Sequence, residues 1–302
     1  MSSLHSLRPW QYEVSGGFTV RGVFTEPTGK PVLHFIHANG FCGLTYEKLL
    51  APLQDYVDIF ISDAQGHGDS DAGPEYAGWN RSALYFSEVW SHFSHLWAGV
   101  PKIACGHSYG AVMSSVMMAK QPALFDQAIL LDPAYAPAMA GNAMYLLSQF
   151  GLTKHMVLSK QAAIRNTEWQ SEEELWDYFH QRGVFEGWED DCLRSYLKHA
   201  MRRTGTGSIQ LKCPPRIEAA IFASYPRWLW SSLKSIRVPV TVLYGKKTFP
   251  FILNSLPKLQ KANANFDLLG VDGGHCFMQE DSLATSRDIL SILKTRLSLE
   301  AV

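Results

Sequence analysis

The sequence predicts an α/β fold with a mainly parallel sheet. Three observations carry that prediction: short apolar runs recur along the chain, helical patterns lie between them, and a glycine-flanked serine turn sits where one run meets the next helix. Runs apolar on both faces suit a sheet covered by helices on each side. Their alternation with helices is the signature of parallel strands joined by crossovers.

The elements follow in order. Residues 17–26 are β-branched and aromatic, and a turn at Pro27-Thr28-Gly29-Lys30 ends them. Residues 31–37, 57–63, 102–105 and 128–131 read as buried strands, and 238–244 and 266–269 resume the series. Helical patterns occupy 46–50, 83–97 and 111–120, the last stopping before Pro122. Between about Pro133 and Pro215 the alternation breaks and no strand is expected. Ser171 and Glu174 are spaced as a capping box that opens a helix. Leu193, Tyr196, Leu197, Ala200 and Met201 then recur at helical spacing. The expectation is one core, residues 1–134 and 214–302, interrupted by a helical insertion at 135–213.

Composition narrows the function. The 302 residues are 46% apolar and 18% charged, enough to bury a large core. With 27 basic and 28 acidic residues the net charge is −1, which removes the electrostatic case for nucleic acid. No run approaches the 18 apolar residues of a membrane span, and the N-terminus lacks a basic start followed by an apolar stretch. Five scattered cysteines form no C-x-x-C pair, so neither a disulfide framework nor a zinc site is expected, and a cytoplasmic setting fits. No phosphate loop and no H-E-x-x-H is present, so no cofactor and no metal are expected.

The chemical signal is Gly106-His107-Ser108-Tyr109-Gly110. It follows a strand and opens a helix, the context a G-x-S-x-G elbow requires. Small residues on either side of the serine let the backbones approach, and the helix start favours developing negative charge. Three further segments occur in order: His37-Ala38-Asn39-Gly40-Phe41, Asp63-Ala64-Gln65-Gly66-His67-Gly68-Asp69-Ser70, and Gly273-Gly274-His275. On these segments the chain resembles the α/β-hydrolase superfamily, in its serine-nucleophile branch, over nearly its whole length outside the insertion.

The resemblance implies roles residue by residue. Ser108 is the nucleophile and needs a base, because a serine hydroxyl is weakly nucleophilic at neutral pH. His275, in the loop after the last strand, is that base. Asn39 and Tyr109 supply the oxyanion hole through their backbone N–H groups, with Ala38 standing where the family usually has glycine. His107, beside the nucleophile, is read as structural. The acid departs from pattern: Gly245-Lys246-Lys247-Thr248 stands where many members read G-x-x-D. Asp132, at the end of the 128–131 strand, is favoured instead. Asp272 is second, and loss of the acid is a third possibility. The expected activity is hydrolysis of an ester-like bond of a small, largely apolar substrate through an acyl-serine intermediate. Carbon–carbon bond hydrolysis, acyl transfer and a non-enzymatic small-molecule sensor are the alternatives, and oligomeric state stays open. The resemblance also implies that the insertion at 135–213 is a helical lid over Ser108; its Tyr135, Met139, Met144, Tyr145, Leu146, Leu147 and Phe150, with Trp169, Trp176, Phe179 and Trp188, are expected to favour an apolar pocket. Arg165, Arg202 and Arg203 are read as solvated helix ends.

Overall fold

The structure is a computed structural model that describes residues 4–297. Eight strands form the central sheet: β1 (Leu7–Val14), β2 (Phe18–Thr25), β3 (Val32–Ile36), β4 (Asp58–Ser62), β5 (Lys102–His107), β6 (Gln127–Leu131), β10 (Val240–Gly245) and β11 (Phe266–Val271). Their spatial order is β1-β2-β4-β3-β5-β6-β10-β11. The β1–β2 and β2–β4 pairs are antiparallel, and every pair from β4 onward is parallel. The fold is that of an α/β-hydrolase, as the sequence predicts. All side chains of β3, β4 and β6 are buried, which is why these segments read as nearly continuous apolar runs. Strand β1 escaped the sequence reading because its exposed and buried residues mix and Pro9 lies within it.

Helices α1 (Glu47–Leu50), α2 (Trp79–Phe93) and α3 (Tyr109–Lys120) connect the early strands. Helix α10 (Pro250–Ala262) joins β10 to β11, and α11 (Phe277–Glu280) and α12 (Ser282–Leu297) follow. The chain order reverses beside β3: β4 lies on one side and β5 on the other. In open α/β sheets, the crevice at such a reversal, outside the carboxyl ends of the strands, is where ligands bind.

Between β6 and β10 run α4 (Ala138–Gln149), α5 (Val157–Ala163), α6 (Glu172–Phe179), α7 (Asp190–Ala200), α8 (Pro215–Phe222) and α9 (Leu229–Ser235). Contrary to expectation, this stretch also holds strands. β7 (Glu168–Trp169), β8 (Met201–Arg203) and β9 (Ile209–Leu211) form a small antiparallel sheet in the order β7-β9-β8. Each is two or three residues long, too short for a period of two to show in sequence. The α6 cap also differs in detail. Ser171 Oγ accepts the Glu174 N–H at 3.1 Å, but the Glu174 carboxylate returns to the Gln170 N–H at 2.8 Å.

Candidate active site

The site lies at the carboxyl ends of β3, β5 and β6 and in the loop after β11. Ser108 occupies the turn between β5 and α3 with φ 52° and ψ −109°, a strained conformation for a residue with a side chain. The flanking glycines permit it. A Cβ on Gly106 would lie 2.6 Å from the Gly110 carbonyl carbon, and one on Gly110 would run into the Ile36 carbonyl oxygen.

Ser108 Oγ lies 2.9 Å from His275 Nε2, and His275 Nδ1 lies 2.5 Å from Asp132 Oδ2. A carboxylate only accepts, so Nδ1 carries the proton and Nε2 faces the serine as acceptor. The structure thus brings Ser108, His275 and Asp132 together. Asp132 is fully buried, with φ 39°. Its N–H donates to the Leu243 carbonyl at 2.8 Å, and its Oδ1 accepts the Gly245 N–H at 2.9 Å. Its Oδ2 also accepts the Thr248 hydroxyl. The threonine that stands in the family's usual acid position therefore supports the aspartate one strand away. Asp272 is elsewhere: its exposed carboxylate accepts the Lys246 ammonium at 2.9 Å.

Asn39 and Tyr109 follow β3 and Ser108 respectively. Neither backbone N–H meets an acceptor among the described residues. The Asn39 side chain makes no local turn; its amide donates to the Glu218 carbonyl at 3.1 Å. Three buried histidines brace the surrounding loops, and each has its tautomer set by a carbonyl that can only accept. His37 Nδ1 donates to the Ala38 carbonyl at 2.7 Å, leaving Nε2 to accept the Ala64 N–H at 2.9 Å. His67 Nδ1 donates to the Gln65 carbonyl at 2.9 Å, and Nε2 accepts the Gly40 N–H at 3.0 Å. Burial lowers His37 to about 3 and His67 to about 4, so both stay neutral, as acceptors of backbone N–H groups must.

The third histidine links the two sides of the site. His107 Nε2 donates to the His275 carbonyl at 2.9 Å, and Nδ1 accepts the Tyr46 hydroxyl at 2.7 Å. The Tyr46 oxygen in turn accepts the Ala38 N–H at 3.3 Å. A buried chain therefore runs from the loop that carries Asn39 to the loop that carries His275. Glu280 holds the same histidine loop by accepting the Gly274 N–H at 3.0 Å. The sequence reading missed the roles of Tyr46, which stands in no motif, and of Thr248, which it took only as the place of an absent acid; only the folded chain puts their hydroxyls beside His107 and Asp132. Phe249 was missed too. Its half-exposed ring lies 4.9 Å from that of His275, beside the similarly exposed Phe251. Residue 249 follows the empty acid position directly, which was the one signal available.

Two expectations for the insertion are corrected. Arg165 is no solvated helix end: its guanidinium pairs with Glu218 at 2.7 Å, and both side chains are largely buried. Arg202 and Arg203 lie on β8. Nor do the apolar residues form one pocket lining. Trp169, Phe179 and Trp188 are core residues, whereas Met139, Leu146, Leu147 and Phe150 face solvent. Among the described residues, no three His, Cys, Asp or Glu side chains group as metal ligands, and no helix is long and apolar enough to cross a membrane.

Residues 35–287 match the profile described as the alpha/beta hydrolase family. No curated protein sequence matches the chain. Among solved structures, E-2-(acetamidomethylene)succinate hydrolase superposes with a TM-score of 0.77 at 18% identity, covering 95% of this chain and 100% of that one. A peroxisomal alpha-beta-hydrolase from Saccharomyces cerevisiae gives 0.77 at 16% identity, over 100% and 92%. A novel esterase from Mycobacterium tuberculosis gives 0.67 at 15% identity, over 95% and 91%.

Proposed function

The chain belongs to the alpha/beta hydrolase family, and from that premise we propose that it is a serine hydrolase of ester-like bonds in small, largely apolar substrates. The observation that carries the proposal is the hydrogen-bonded series from Ser108 through His275 to Asp132, at 2.9 and 2.5 Å. The esterase among the structural neighbours supports the bond type. Phe249 and Phe251 at the rim of His275 support an apolar acyl or alcohol group.

In this reading Ser108 Oγ attacks the acyl carbonyl carbon while His275 Nε2 takes its proton. Asp132 keeps the imidazole in the Nδ1–H tautomer and stabilises the imidazolium that forms. The Asn39 and Tyr109 N–H groups, which have no acceptor of their own, hold the developing oxyanion. The intermediate collapses, the leaving oxygen takes the proton from His275, and an acyl-serine remains. Water then attacks with His275 again as base. Residues 1–134 and 214–302 serve as the catalytic core and 135–213 as its lid. The five cysteines are all unpaired, which supports a cytoplasmic protein.

Hydrolysis of p-nitrophenyl esters of increasing chain length tests the proposal. Ser108→Ala should abolish turnover, and Asp132→Asn should lower kcat by about 10⁴, as loss of the orienting acid does in serine proteases. Full activity in Ser108→Ala would overturn the nucleophile. Full activity in Asp132→Asn would overturn the acid.

A further inference from the structure

We infer that the outer face of α4 and α5, with the turn between them, docks onto a lipid–water interface that carries anionic headgroups. The first observation is exposure. Met139 is 87% exposed, Leu146 59%, Phe150 78%, Leu152 59%, Val157 69% and Ile164 84%, all within 26 residues of chain. Large apolar side chains left exposed at this density in one segment mark an interaction site. The residues are also ordered. Met139, Ala143, Leu146, Leu147 and Phe150 fall at i, i+4, i+7, i+8 and i+11, a single stripe along α4. The opposite side of α4 rests on the core, where a Cβ on Gly141 would lie 2.6 Å from the Tyr225 ring. The stripe therefore points outward by construction.

The second observation is charge. From Pro133 through Thr167 the chain holds no Asp or Glu; its charged residues are Lys154, Lys160 and Arg165. Arg165 is taken by Glu218. Lys154 and Lys160 are exposed and form no ion pair among the described residues. An apolar face that carries Lys154 and Lys160 and no acidic residue matches the two layers of an anionic lipid surface, acyl chains below and headgroups above. Each lysine near such a surface strengthens binding about fivefold. A second copy fits less well: face-to-face pairing would set Lys154 and Lys160 against each other with no acid on the face to neutralise them. The inference concerns binding alone and does not depend on the ester-hydrolase reading.

Flotation of the full chain with vesicles tests it, using phosphatidylcholine alone and an equimolar mixture with phosphatidylglycerol. The chain should float with the mixed vesicles, stay behind with the neutral ones, and detach as salt is raised. The double variant Lys154→Glu/Lys160→Glu should bind the mixed vesicles at least about tenfold more weakly. Leu146→Ser/Phe150→Ser should not float, while both variants keep the wild-type urea midpoint because the altered side chains are exposed. Failure to float with mixed vesicles overturns the proposal, and so does equal binding to both vesicle types. A concentration-dependent dimer in sedimentation equilibrium that Leu146→Ser/Phe150→Ser dissolves, without vesicle binding, would assign the face to a second copy.

Discussion

The inserted segment has two halves of similar apolar character and opposite fate. Residues 168–213 bury theirs: Trp169, Phe179, Trp188 and Tyr196 join Phe35, Phe41 and Tyr46 in one core cluster. Residues 138–164 turn theirs outward, and α4 contains a single buried residue, Gly141. The anchored half reaches the site directly. Phe41, two residues beyond Asn39, places its ring 5.2 Å from Trp188 and 5.7 Å from Tyr196. Apolar residues thus do two jobs in one insertion: half of it supports the loop bearing Asn39, and half presents a surface. The largest test of that contrast is paired truncation. Trp188→Ala should cost about 3–5 kcal/mol in urea unfolding, the range for a buried aromatic. Phe150→Ala should stay within about 0.5 kcal/mol, as exposed sites do. Equal losses would erase the distinction.

The next test strikes the seam between the halves. Arg165 follows the exposed half and pairs with Glu218 of α8, whose carboxylate packs against the Gly40 backbone, where an added Cβ would lie 2.9 Å from Oε1. Arg165→Met leaves that carboxylate largely buried and alone, a change of about 2–3 kcal/mol; the slight exposure of both groups holds it below the 3–5 of a fully buried pair. Adding Glu218→Leu should recover most of the loss, because two apolar groups need no counter-charge. If the double variant is no more stable than Arg165→Met, the pair is not what binds the seam.

These contrasts mark how far the sequence can be read. The strands β3 to β6 were legible because burial on both faces leaves mostly apolar side chains, and the elbow was legible because strand, Gly106, Ser108 and Gly110 must occur together. Asp132 was favoured only through the resemblance, since a lone Asp-Pro also starts turns. The two halves of the insertion were not distinguishable. A stripe at helical spacing states that a helix has an apolar face, and says nothing about what lies opposite. Tyr46 and Thr248 were invisible for a similar reason: a hydroxyl acquires a role only from the partner that folding brings to it.

Tyr46 offers a smaller test, placed on the anchored side. Its hydroxyl is the middle of the chain from Ala38 N–H to His107 Nδ1. Tyr46→Phe leaves a buried N–H and a buried imidazole nitrogen without partners, a loss of about 1–3 kcal/mol. With the ester substrate, kcat should fall while KM holds, because the loops carrying Asn39 and His275 would lose their shared tether and the ground-state pocket would not. A change confined to KM would place Tyr46 in substrate binding instead.

The smallest effect is a pH dependence that the two halves should not share. His37 and His67 titrate near 3 and 4 in the folded chain against 6.5 when free, because burial disfavours the imidazolium. Below pH 6.5 the unfolded chain therefore binds more protons than the folded one, and stability falls as pH drops from 6.5 toward 4. Between pH 7 and pH 6 each histidine contributes less than about 1 kcal/mol. The Gly40 and Ala64 N–H groups donate to these two rings, so their opening free energies in hydrogen exchange should decline across that window. The exposed half holds one histidine, His155, and it faces solvent. Amides of α4 should open with a free energy independent of pH over the same range. A decline shared by α4, Gly40 and Ala64 would mean that the two halves open together, and the insertion would then be one cooperative unit despite its divided packing.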